Sequence, residues 1–299
     1  MPAAVELRGI HKTYDHFVAV DHLSFNIHEG GVYGLLGPNG AGKTSTIRMM
    51  IGITIPDEGE VWLFGEKFRR QQLERIGYLP EERGLYKRMK VLDHLVFLGR
   101  LHGLSTTEGR RRAMNWCERL QLSEWMQKKV EELSKGMQQK IQFIAALLHD
   151  PDLLILDEPF SGLDPANAVM IKDVMIELKK AGKTILFSTH RMDQVERLCD
   201  SICLIDHGRS VLEGDLKKIK ASYGKNTVQM QYEGHPPFDH SELIQSMNDY
   251  GNYVELRLKP GADAQQLLRM ACDHARISRF ELVEPSLEEI FIDVVGNNA

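Results

Sequence analysis

Two groups of residues have the types and spacing that chemistry needs. The first is Gly37-Pro38-Asn39-Gly40-Ala41-Gly42-Lys43-Thr44, which fits the pattern G-x-x-x-x-G-K-[ST]. Its glycines let the backbone curl until successive N–H groups face one centre, and a following helix adds partial positive charge there. Such a loop cradles nucleotide phosphates, with Lys43 on the β- and γ-phosphates and the Thr44 hydroxyl on Mg²⁺; Ser45 extends it. The second group is Asp157-Glu158, after the apolar run Leu153-Leu154-Ile155-Leu156. One carboxylate there can bind Mg²⁺ through water, and its neighbour can orient or deprotonate an attacking water. Together they imply a site for a nucleoside triphosphate.

Both groups depend on the elements that carry them. An apolar run at 31–36 leads into the phosphate loop as a buried strand, and 46–50 lead out as a helix. The unbroken apolar run at 153–156 marks a strand buried on both faces of a parallel sheet. Residues 1–35 alternate as strands, with turns near Asp15-His16 and Glu29-Gly30. Further strands are expected at 60–64 and 75–79, the second halted by Pro80. From about 84 to 150 the period becomes helical. Val91, Leu92, Leu95, Val96, Leu98 and Leu101 share a face that ends at Gly103. Ser105-Thr106-Thr107-Glu108 reads as a capping box, with Ala113, Trp116 and Leu120 inward. Ser134 caps a third helix carrying Ile141, Ile144, Ala145 and Leu148. Asp164-Pro165 starts a helix that Gly182 closes, and strands at 184–188 and 202–205 flank another at 192–199. This alternation over 1–220 predicts an α/β layered core.

At 221–226 the texture changes to a short linker, and 227–299 read as a small α/β module. Val228, Met230 and Tyr232 alternate, as do Val254, Leu256 and Leu258; 263–275 read as helix and 279–283 as extended. Ser286-Leu287-Glu288-Glu289 is a second capping box, opening a last helix with Ile290, Phe291 and Val294 inside. No residues of catalytic type cluster in the module, so a structural or dimer-contacting role is expected.

At 299 residues, 42% of them hydrophobic, the chain is long enough for about two domains. Its 37 basic against 42 acidic residues argue against nucleic acid as the main partner. Cys117, Cys199, Cys203 and Cys272 form no C-x-x-C pair and read as buried thiols in a reducing compartment. Glu6, Arg8 and Lys12 interrupt any secretory apolar core, and no run approaches the ~18–20 apolar residues of a membrane span. A soluble or peripheral protein is expected.

Further along the chain, Leu133-Ser134-Lys135-Gly136-Met137-Gln138-Gln139 resembles the signature loop of ATP-binding-cassette ATPases. The stretch from Leu153 through Asp157-Glu158-Pro159-Phe160-Ser161-Gly162-Leu163-Asp164 looks like that family's Walker B and D-loop. His190 matches its switch histidine, and Tyr14 the aromatic that stacks on adenine. The resemblance covers residues 1 to about 220, in the family's order. There are two departures. Lys135 and Met137 stand in the signature where Gly and Gln are usual, with Ser134 and Gly136 retained; and Glu81 stands where the family carries a glutamine. Both departures, with the tail from Phe280 to Phe291, resemble the exporter branch that includes sodium-ion and antibiotic efflux ATPases.

The resemblance implies a P-loop NTPase (RecA-like) core with an antiparallel β subdomain and a helical insertion, plus the small C-terminal domain. It implies ATP and Mg²⁺, with Glu158 as general base, His190 steadying the γ-phosphate, and Thr44, Asp157 and Glu81 around the metal. It implies a head-to-tail dimer, of two copies or with a second ATPase, in which Ser134 and Gly136 complete the partner's ATP site. It also implies a separate membrane permease docked on the 81–92 loop, with the ATPase peripheral on the cytoplasmic face. A soluble cassette ATPase of iron–sulfur assembly or ribosome function is the alternative reading.

Overall fold

In the computed structural model, residues 3–82, 84–223, 226–233 and 242–296 are described. Contacts divide the chain into two units, Met1–Gly214 and Asp215–Ala299. The first opens with β1 (Ala3–Tyr14), β2 (Phe17–His28), β3 (Val32–Leu36), α1 (Lys43–Met50), β4 (Glu58–Leu63), β5 (Glu66–Lys67) and β6 (Ile76–Leu79). Three helices follow: α2 (Val91–Leu101), α3 (Thr106–Arg119) and α4 (Lys135–Leu147). It then alternates through β7 (Leu153–Asp157), α5 (Pro165–Lys180), β8 (Thr184–Thr189), α6 (Met192–Leu198), β9 (Ser201–Asp206) and β10 (Arg209–Asp215).

These strands make two sheets. One is four-stranded, β2-β1-β4-β5, and antiparallel; the other is six-stranded, β10-β9-β3-β8-β7-β6. In the second, β3 pairs in parallel with β8 and β9, and β7 with β6 and β8. Every residue of β3, β7 and β8 is buried, as their apolar runs require of a sheet covered on both faces. The parallel order puts the carboxyl ends of β3, β7 and β8 side by side: Leu36 pairs with Thr189, and Asp157 with Ser188. Ligands of open α/β sheets bind at that edge.

The helical insertion between β6 and β7 departs from expectation in detail. Val91, Leu92 and Leu95 are buried, but Leu101 is exposed and His94 lies fully buried in the same helix. In α3, Ala113, Cys117 and Leu120 form the inner face, while Trp116 is half-buried with the Arg119 guanidinium 4.9 Å from its ring centroid. Half of the expected capping box forms there: Glu108 N–H donates to Ser105 Oγ at 3.1 Å, but the Glu108 carboxylate turns to Arg111 and Arg112.

The second unit holds α7 (Leu216–Tyr223), β11 (Thr227–Glu233), β12 (Ile244–Asp249), β13 (Val254–Leu258), α8 (Ala264–His274), β14 (Arg276–Val283) and α9 (Leu287–Gly296). The stretch expected as a linker from 221 is therefore helical through Tyr223, and Gly224 and Lys225 lie outside the described residues. Its sheet has the order β12-β13-β11-β14. Val228, Met230, Val254 and Leu256 pack with Leu267 and Ala271 of α8. At α9 both halves of the capping box form, Glu289 N–H to Ser286 Oγ at 3.2 Å and Ser286 N–H to Glu289 Oε2 at 2.8 Å. Ile290 is buried as expected, while Phe291 and Val294 are half-buried.

Candidate functional site

The phosphate loop joins β3 to α1 at the carboxyl edge of the parallel sheet. Two of its glycines are required by their surroundings. Gly37 has φ +148° and Gly42 φ +105°, and an added Cβ would stand 2.1 Å from Ile205 O and 2.3 Å from Ala19 O respectively. The loop is thus clamped between β2 and β9. Lys43, on the first turn of α1, folds back so that its ammonium donates to the carbonyls of Gly37 (2.8 Å) and Pro38 (2.9 Å). Burial lowers its pKa, opposed by the negative charges of Glu158, Asp157 and Glu81.

A cleft of about 320 Å³ opens beside the loop, lined by Tyr14, Phe17, Ala19, Asn39, Gly40, Gly42, Lys43, Thr44, Ser45, Glu81, Asp157 and Glu158. Residues from four separate stretches, expected from sequence to share a site, therefore do share one. Gly37, Pro38 and Ala41 build the loop from behind, with the Ala41 N–H donating to Pro38 O at 3.2 Å. Phe17 and Ala19 were not foreseen. Phe17 pairs with Tyr14 across the hairpin turn, so the two-residue turn at Asp15-His16 was the available signal.

Asp157 ends β7, fully buried. Its Oδ1 accepts a hydrogen bond from the Ser188 hydroxyl on β8, a partner the sequence did not reveal, and its Oδ2 makes none. Burial raises its pKa, while Ser188 and the neighbouring Thr44 hydroxyl pull the other way. A buried carboxylate oxygen without a partner, beside a hydroxyl, suits a hard cation with oxygen ligands, so the residues fit Mg²⁺.

Glu158 follows with φ +48°, a conformation that non-glycine residues adopt at a cost and that clusters at functional sites. The turn is held by its own N–H, which lies 3.2 Å from both Ser188 O and Ser188 Oγ. It aims the carboxylate at the end of β8. There Oε1 accepts from the His190 backbone N–H at 3.1 Å and stands 2.8 Å from His190 Nδ1. Thr189 Oγ1 lies 3.4 Å from Oε2.

Glu81 lines the same cleft on the segment after β6. Although exposed, it has a pKa raised by partial burial of its carboxyl and by the charges of Asp157 and Glu158, against Lys43. Its neighbour is tied down: Gln142 of α4 donates to Glu82 O at 3.2 Å. Ser134 and Gly136 do not line this cleft. Ser134 caps α4 through the Met137 N–H, and Gly136 lies against Gly162, whose oxygen is 3.4 Å from where a Cβ would be. Gln139 donates to Pro159 O at 3.2 Å, joining the start of α4 to the segment after Glu158. Arg83, expected in the permease-facing loop, lies outside the described residues.

A parallel sheet carrying a phosphate loop, a buried aspartate and a glutamate–histidine pair at one edge defines a phosphate-loop ATPase. The family model described as "ABC transporter" matches residues 20–161, and that of the "ATP-binding protein DrrA1-3-like, C-terminal domain" matches 214–295. The ABC transporter ATP-binding protein YhaQ of Bacillus subtilis is 46% identical over 95% of this chain and 96% of its own length. A Nod factor export ATP-binding protein I of Paraburkholderia xenovorans is 35% identical over 98% and 97%. Among solved structures, an ATP-binding subunit of an ABC transporter superposes with a TM-score of 0.68 at 32% identity, over 74% of this chain and 93% of that one. The dimeric cassette MJ0796, bound to ADP and Pi, gives 0.66 at 25% identity over 71% and 98%. The chain belongs to the ATP-binding subunits of ABC transporters, and its activity is ATP hydrolysis. Among the described residues no helix is long and apolar enough to cross a membrane.

Proposed function

We propose that this chain is the ATP-hydrolysing subunit of an exporter, and that it drives a separate membrane permease by closing as a head-to-tail dimer around ATP. The export direction rests on the name of the Nod factor relatives and on the DrrA-like C-terminal match. The observation that carries the catalytic part is the contact between Glu158 and His190 at the mouth of the phosphate-loop cleft.

In this reading Tyr14 stacks on the adenine, and the N–H groups of residues 37–45 hold the phosphates, together with Lys43. Thr44, Asp157 and Glu81 would hold Mg²⁺, which when bound would supply neutralisation of the developing phosphate charge. Glu81 keeps an oxygen ligand where the family carries a glutamine, and it adds a negative charge beside Asp157 and Glu158. Glu158 takes the proton of the attacking water, and His190 keeps the carboxylate aimed and reaches the γ-phosphate. Ser134 and Gly136, away from the chain's own cleft, meet the ATP of the partner across a two-fold interface. The domain division of this reading is a cassette ending near residue 220 and a C-terminal module. The subunit sits on the cytoplasmic face, with the permease against the 81–92 segment.

Co-purification with a polytopic membrane permease from its own membrane, followed by ATP-dependent transport in inverted vesicles, tests the proposal. Transport that persists when Glu158 is replaced by Gln overturns it.

A further inference from the structure

The antiparallel sheet carries a second polar cluster that ATP chemistry does not use. Opposite His11 of β1, the partner strand β2 holds two residues where one would suffice. Ile10 pairs with Leu23 and Lys12 with Val20, so Asp21 and His22 form a bulge facing His11 alone. His22 sits at φ +49°, the local twist by which such a bulge re-aims a side chain. Three ligand-type atoms converge as a result. His11 Nδ1 lies 3.4 Å and His22 Nε2 3.8 Å from Asp21 Oδ1, and all three lie within 4.8 Å of one another.

We propose that His11, Asp21 and His22 form a binding site for a borderline divalent transition metal of the Zn(II) class, separate from the Mg²⁺ of the phosphate cleft. Two donors about 2.0–2.1 Å from a tetrahedral ion stand roughly 3.3 Å apart; the His11–Asp21 pair at 3.4 Å already meets this, and the His22–Asp21 pair at 3.8 Å needs a small closure. His11 Nδ1 is buried and makes no hydrogen bond, so it faces Asp21 with its lone pair or proton unanswered. The outer contacts orient the set as metal ligands are usually oriented. His11 Nε2 is 3.1 Å from Thr13 Oγ1, which fixes the ring with Nδ1 inward. The Arg209 guanidinium takes Asp21 Oδ2 and leaves Oδ1 to the two rings. Its own charge opposes a cation weakly, because its side chain is 72% exposed and screened by solvent. The two imidazoles and one carboxylate select against Mg²⁺, which prefers an all-oxygen shell.

The site sits on the hairpin whose tip carries Tyr14 and Phe17, three to five residues from the turn pair, and one residue beyond the Val20 side chain that borders Gly42. A bound metal would therefore pin the bulge that begins two residues after Ala19, which lines the nucleotide cleft.

Zn(II) titration of the nucleotide-free full chain by calorimetry, with Mg²⁺ in excess, tests the site; Co(II) absorption reports its geometry. One equivalent of Zn(II) is expected, with visible Co(II) bands of low coordination number. His11→Ala and His22→Asn should each weaken binding at least ~10-fold, while Lys43→Ala leaves it unchanged. Asn tolerates the left-handed backbone at position 22, so that variant reads ligation rather than strain. Circular dichroism of the metal-free variants checks that they fold. Absence of stoichiometric uptake by the wild-type chain, or equal uptake by the His11→Ala/His22→Asn double variant, overturns the proposal.

Discussion

His190 Nδ1 stands 2.8 Å from Glu158 Oε1, and the backbone N–H of His190 donates to the same oxygen at 3.1 Å. The two residues are 32 positions apart and come from the ends of neighbouring parallel strands, β7 and β8. One carboxylate oxygen is thus oriented by two donors of a single residue, and the carboxylate stays in the cleft that holds Lys43 and Thr44.

Glu158→Gln removes the base while keeping the shape. Steady-state ATP hydrolysis should fall by roughly 10²–10⁴-fold with ATP binding retained. Size-exclusion chromatography with light scattering should then find an ATP-dependent dimer. Unaltered turnover would remove Glu158 from the mechanism.

His190→Ala takes away one of the two donors on Oε1 and leaves the backbone one. A loss concentrated in kcat, with the KM for ATP within a few-fold of wild type, is expected from a group acting in the transition state. A rise in KM at constant kcat would instead make His190 a binding residue.

Ser134→Arg and Lys43→Ala should each abolish hydrolysis alone, because each spoils both composite sites of a symmetric dimer. Mixing the two variants in equal amounts should restore about a quarter of wild-type activity, since half the dimers are mixed and each has one intact site. A mixture with no activity would argue against sites shared between subunits.

Gly42→Ala places a Cβ 2.3 Å from Ala19 O at a backbone angle alanine resists. Nucleotide affinity should drop at least ~10-fold and stability by about 1–3 kcal/mol, read by equilibrium binding and urea unfolding. Wild-type values for both would mean that the loop relaxes freely.

His94 gives a pH signature. It is fully buried in α2 with neither ring nitrogen hydrogen-bonded, and burial pushes its pKa down to about 4 from an ordinary 6.5. The unfolded chain therefore takes up the proton first as pH falls. This neutral ring leaves stability whole above about pH 6.5 and costs about 3 kcal/mol by pH 4. His94→Leu should flatten this part of the stability–pH curve, measured by chemical denaturation from pH 7 to 4. An unchanged slope would assign the acid sensitivity elsewhere.

How much was legible in the sequence varies with range. Walker-type loop, strand and helix were readable because the constraint is local: Gly37 and Gly42 are where the backbone must turn, and 153–156 are apolar because both faces of β7 are covered. Caps were readable for the same reason, and Ser134 and Ser286 form them. Edge strand β12 was not, since its residues are largely exposed and carry no alternation. Nor was α7 seen running through the expected linker.

By itself, then, the sequence determined which residues could do chemistry and which local turns would carry them, because residue type and spacing act over a few bonds. Only the tertiary structure decided what stands next to what. It set Ser188 on Asp157, aimed Glu158 at His190 through a left-handed turn, and buried His94 on a helix face that hydropathy had given to leucines. It also brought His11 across from the Asp21-His22 bulge. These are relationships of register and packing between strands far apart in the chain, and no local pattern encodes them.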